Sequence, residues 1–173
     1  MKLILDIYGD KTNLLWRNKW INMKIVIDEA STFNLSPFGL KYYANLKGIE
    51  VFFYKEDIIW NDTNDVVKEE NYVLMSDEEI SNYNKRGRQD FYCFTKFMGN
   101  ISPEKAEDEY WFTDWDIERN DPDLLKTIID LGEMANGEYS KLRIIEIPDG
   151  VNWYIDWCEF KGEFVSEKHR TWN

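Results

Sequence analysis

The 173-residue chain is long enough to bury about two-thirds of its unfolded surface as one domain, and its 43% hydrophobic and 16% aromatic content excludes a disordered polymer. Its 21 Lys+Arg stand against 33 Asp+Glu, a net charge of −12 that repels phosphate backbones and argues against direct nucleic-acid binding. Two separated cysteines with no Cys-x-x-Cys and a single histidine argue against zinc, and no run approaches the ~20 apolar residues of a membrane span.

Met1-Lys2-Leu3-Ile4-Leu5-Asp6 begins like a signal peptide, but Asp6 breaks the apolar run after three residues. Met23-Lys24-Ile25-Val26-Ile27-Asp28 repeats its pattern. Either the chain has two similar strands or the fold starts near Met23; residues 1–22 are taken as an extension and 23–173 as a single domain.

Ile25-Val26-Ile27 is a β-branched run of strand length. Ser36-Pro37 makes a helix entrance, since the hydroxyl caps free N–H groups and proline suits the first turn. Leu40, Tyr43, Ala44 and Leu46 form one apolar face, with a stop at Gly48. Ile49–Tyr54 is a second strand, so the spacing predicts a βαβ unit with parallel strands.

Asn61–Asp65 is a polar turn cluster, Tyr72–Met75 a short strand, and Ser76-Asp77-Glu78-Glu79 a capped helix start. Lys85-Arg86-Gly87-Arg88 is a basic knot ahead of the aromatic strand Phe91–Phe94. Asn120-Asp121-Pro122 opens a helix with Leu124, Leu125, Ile128, Ile129 and Leu131 towards the core and Asn136-Gly137 at its end. Leu142–Ile147 is a strand closed by Pro148-Asp149-Gly150; Trp153–Trp157 and Phe164-Val165 flank a hairpin turn at Lys161-Gly162. The sum is a mixed α/β or α+β fold: an N-terminal βαβ unit, a central mixed sheet with two main helices, and a C-terminal β-hairpin.

His169 would need a carboxylate such as Glu167 or Asp156 and a nucleophile that the chain does not supply, so no enzyme is expected. Lys168, His169, Arg170 and Trp172 form a basic-aromatic cluster with two readings. They hold a phosphorylated ligand, as a nucleotide-signal sponge would, or Arg170 simply pairs with neighbouring carboxylates. The glycines form no phosphate loop, so no cofactor is expected. Glu118, Asp121 and Asp123 could gather a divalent cation, but a helix start favours carboxylates for its dipole alone, and no metal is expected. Cys93 and Cys158 read as reduced thiols of a cytoplasmic protein.

The acids are unevenly spread: residues 100–173 carry eighteen against eight bases. Between 104 and 118 they interleave with aromatics, which nominates Glu107, Asp108, Glu109, Trp111, Asp114, Trp115 and Asp116 as contacts for a partner with a basic surface. The alternative is a solvated loop whose aromatics cover the core.

Met23–Ile27, Phe33-x-Leu35-Ser36 and Tyr54-Lys55 resemble the start of a set of small, uncharacterised bacteriophage and prophage proteins. Asp116–Leu124, Leu131-Gly132-Glu133, Ala135-Asn136-Gly137, Lys141-Leu142-Arg143, Ile145–Asp149, Trp153-x-Ile155 and Glu167-Lys168-His169-Arg170-x-Trp172 are similar to its later part. The resemblance covers 23–57 and 112–173. It implies a phage accessory protein in the host cytoplasm, of the kind that blocks host defence as anti-CRISPR inhibitors do. The expectation is an acidic inhibitor occupying a basic, nucleic-acid-facing surface.

Overall fold

The computed structural model describes residues 22–30, 33–59, 69–83, 91–99 and 110–168, and the architecture is α+β. Strand β1 (Asn22–Asp28) leads into helix α1 (Pro37–Leu46) and strand β2 (Phe52–Ile59). Strand β3 (Glu69–Leu74), the short helix α2 (Asp77–Ser81) and strand β4 (Phe91–Phe94) follow. Helix α3 (Pro122–Leu131) runs into a 3-10 turn at Gly132–Ala135, and strands β5 (Leu142–Pro148), β6 (Trp153–Cys158) and β7 (Gly162–Glu167) close the described chain. Asn22, placed in the extension by sequence, is the first residue of β1; residues 1–21 lie outside the described residues.

The helix entrances form as their chemistry dictates. Ser36 Oγ accepts the Gly39 N–H at 3.0 Å with Pro37 in the first turn. Asp121 accepts the N–H groups of Asp123 and Leu124 ahead of Pro122. Ser76 and Glu79 satisfy each other's backbone in a capping box.

Two expectations are corrected. The βαβ unit does not form among the described residues: β1 pairs antiparallel with β5, Met23 opposite Ile147 and Ile25 opposite Ile145, while β2 pairs antiparallel with β3 and β4. The β1–β5 ladder sets Ile25 against Ile145 and Val26 against Ile144, apolar cross-strand pairs of the kind that stabilise an antiparallel pairing. The central mixed sheet is likewise replaced, among the described residues, by three small antiparallel sheets in the orders β1-β5, β3-β2-β4 and β6-β7. The C-terminal hairpin stands as read, with Ile155 opposite Val165. Helix α3 stops at Leu131, where Gly132 turns to φ +55°; the helical period buries Leu124 and Ile128 on one face and leaves Ile129, expected in the core, exposed.

The main core joins β1, β2 and the helices. Val26, Leu35, Leu40, Phe53, Ile117 and Leu124 bring together helices α1 and α3, β1, β2 and the segment before α3. A smaller aromatic cluster of Tyr54, Tyr72 and Phe94 lies under the three-stranded sheet. The entrance of α1 is stitched to the 3-10 turn: Ser36 N–H donates to Ala135 O, Ser36 Oγ to Met134 O, and Gly137 N–H to Asn34 O. The fit is close enough that a Cβ on Gly39 would stand 2.9 Å from Ala135 O.

Candidate functional site

The segment 110–121 crosses the core and is tied to it at intervals. Thr95 N–H donates to Tyr110 O and Phe112 N–H to Cys93 O, so the segment starts as an added rung beside β4. Leu35 N–H then donates to Asp114 Oδ2 at 2.6 Å. Further on, Val26 N–H donates to Arg119 O, and the Arg119 guanidinium gives paired bonds of 2.9 and 2.8 Å to the Glu163 carboxylate of β7. Glu163 also accepts from Asp28 N–H, and the guanidinium lies 3.7 Å from the centre of the Phe33 ring. Charge, paired donors and an aromatic face thus clasp β1, β7 and this segment.

These ties leave a groove of about 360 Å³ between β4, residues 111–115 and the turn at Glu138-Tyr139. Trp111 forms one wall, edge-on to Tyr92 at 6.0 Å and to Phe94 at 5.6 Å. Trp115 and Tyr139 stand at the rim, and Cys93 and Asp114 lie deepest. Tyr139 has φ +62°, a left-handed conformation that non-glycine residues adopt at a cost. Tyr92 is held in place by donating its hydroxyl to Glu56 Oε1 at 2.6 Å and by stacking on Tyr72.

The electrostatics follow from burial. Desolvation raises the Asp114 carboxyl above its ordinary range, although the Leu35 N–H bond and the Arg119 charge pull the other way. Desolvation, with the Asp114 charge beside it, pushes the Cys93 thiol up too. A thiol so held is protonated at neutral pH and makes a poor nucleophile.

The structure divides the sequence-nominated residues. Trp111 and Trp115 are 44% and 85% exposed, and Asp116 is exposed beside them. Asp114 is corrected: at 6% exposure it is no surface contact, because its carboxylate turns inward to take the Leu35 amide. Glu107, Asp108 and Glu109 lie outside the described residues. So do His169, Arg170 and Trp172 of the alternative cluster, while Lys168 is exposed at the end of β7, 5.9 Å from the centre of the Tyr154 ring.

Asp121 and Asp123, weighed as cation ligands, receive the Lys47 ammonium at 2.7 and 3.0 Å. Burial alone would raise Asp121, but Lys47 and the cap N–H groups hold it low. Among the described residues no three His, Cys, Asp or Glu side chains are placed to hold a metal, and no helix is long and apolar enough to cross a membrane.

Tyr92, Glu138 and Tyr139 were not singled out from sequence. Tyr92 sat inside a predicted strand with nothing to mark its outward wall, and the Gly137-Glu138-Tyr139 turn carries no signal that it folds back towards Trp111. The chain matches no known protein family, no curated protein and no solved structure.

Proposed function

We propose that this chain is a non-catalytic binding protein that holds a basic protein partner against the face around Trp111–Glu118. The observation that carries it is the pairing of two exposed indoles with uncommitted carboxylates. None of the ion pairs formed among the described residues uses Asp116, Glu118 or Glu138. The basic side chains near α1, α2 and α3 are instead engaged by other acids, among them Lys47 with Asp121 and Lys41 with Asp77. Tryptophans ringed by charge are the usual anchors of protein interfaces, and complementary charge steers the encounter. The resemblance to phage accessory proteins supports a host defence effector with a basic, nucleic-acid-facing surface as that partner.

The test uses the full chain as bait for host proteins at low and high salt, followed by affinity measurement on the purified partner. Reversing Asp116, Glu118 and Glu138 together to lysine should abolish binding, and wild-type affinity should fall as the screening length shrinks from about 30 Å at 0.01 M to about 8 Å at 0.15 M salt. Unchanged affinity in the reversed variant would exclude this face as the contact.

A further inference from the structure

The geometry points to the groove under Trp111 and Trp115 as a receptor for a single arginine side chain of the partner, its guanidinium stacked on the indoles and paired with Asp114. This deepens the basic-partner reading and rests on it. Three observations lead there.

The first is the chemistry of the lining. The aromatic side chains of Tyr92, Trp111, Trp115 and Tyr139 line the groove together with two carboxylates, the buried Asp114 and the half-buried Glu138, and no lysine or arginine is among the described lining residues. Ring faces carry negative potential and attract cations, most strongly where water is excluded.

The second is Asp114 itself. It is a carboxylate withdrawn from water whose Oδ2 is answered by one amide N–H. Among the described residues it forms no ion pair and feels the Arg119 charge only at longer range, and a buried carboxylate so placed gains when a cation reaches it. The desolvation that raises its proton affinity measures the same deficit.

The third is the fold's own use of this arrangement. The Arg119 guanidinium sits over Phe33 and pairs with the buried Glu163 through both nitrogens. The groove repeats ring and carboxylate with the guanidinium left to be supplied. Arginine suits it better than lysine because a planar, weakly hydrated fork stacks on rings and pairs with a carboxylate at once. A groove of about 360 Å³ accommodates one such side chain but no folded element.

The probe is the capped tripeptide acetyl-Gly-Arg-Gly-amide, titrated into the full chain while indole fluorescence and the indole N–H resonances are followed. Its control replaces arginine by citrulline, which keeps the shape and removes the charge. The arginine peptide should saturate and shift the Trp111 and Trp115 resonances, with the citrulline peptide about tenfold weaker or more. Trp115→Ala, at an exposed position, should weaken the arginine peptide by about tenfold as well. Asp114→Asn, which retains an acceptor for Leu35, should do the same.

Equal binding of both peptides, tighter binding of the lysine analogue, or no saturable shift up to about 10 mM overturns the assignment. Failure here is separable from failure of the broader reading. If Trp115→Ala and Asp114→Asn leave a salt-sensitive complex with the basic partner intact, the groove is wrong and the surface is right. If the arginine peptide binds as expected while the charge-reversed variant keeps its partner, the surface reading falls and the groove stands.

Discussion

Gly162 and Glu163 are neighbours with opposite tasks. Gly162 lies at φ +66° with its α-carbon so close to β1 that a Cβ would stand 2.5 Å from Asp28 O. Backbone strain and backbone collision act together there, so Gly162→Ala should destabilise by about 2 kcal/mol or more, read as a lower urea midpoint at unchanged m-value. Glu163 answers Arg119, Asp28 N–H and Phe33 N–H at once. Glu163→Gln leaves a nearly buried guanidinium without its counter-charge and should cost about 3 kcal/mol. The double variant Arg119→Met/Glu163→Leu should recover part of that loss, because two matched apolar side chains leave no charge stranded. A double variant no more stable than Glu163→Gln would mean that the amide bonds, and not the charge pair, carry the site.

Helix α2 shows how a short element persists. Its five residues are far below the length at which isolated helices form, and the Ser76–Glu79 capping box with the Lys55–Glu79 ion pair fastens it to β2. Lys55 and the Ser76 N–H and hydroxyl groups lower the Glu79 pKa from 4.5 to about 2. Because the folded value lies below the unfolded one, the stabilisation is complete above pH 4.5 and is lost as pH falls from there towards 2. Glu79→Gln should therefore flatten the acid limb of a stability–pH curve in that window, and an unchanged slope would show that other carboxylates dominate it.

The same element explains what could be read from sequence. Ser36-Pro37, Ser76-x-x-Glu79 and Asp121-Pro122 are starts whose donors and acceptors lie within three residues, so composition alone declares them. Strand pairing is different. Asn22 sits opposite Pro148, and nothing near β1 encodes that choice over the adjacent β2. At the candidate site, exposed Trp111, Trp115 and Asp116 were legible as an acidic-aromatic run. Asp114 was not, because its direction depends on Leu35, a residue far away in the chain that presents its amide only after folding.

At the scale of the whole chain, a net −12 belongs to a fold whose described residues form three small sheets. Compaction brings like charges together, so added salt should raise the thermal midpoint by screening that repulsion, despite weakening surface pairs such as Lys24–Glu146. A midpoint that falls between 0.01 and 0.15 M sodium chloride would place the net balance with the ion pairs instead.

The spaced ties of the 110–121 segment carry a kinetic consequence. With Phe112, Asp114 and Arg119 each fixed to a different strand or loop, the groove walls stand ready before any visitor arrives. Capture then demands no folding step, and a bimolecular rate constant of about 10⁵–10⁷ M⁻¹s⁻¹ is expected, growing linearly with visitor concentration and without the plateau that a slow opening would impose. The amide deuteration of Leu35, locked on the carboxylate it serves, would slow further on occupancy and report residence from inside the molecule.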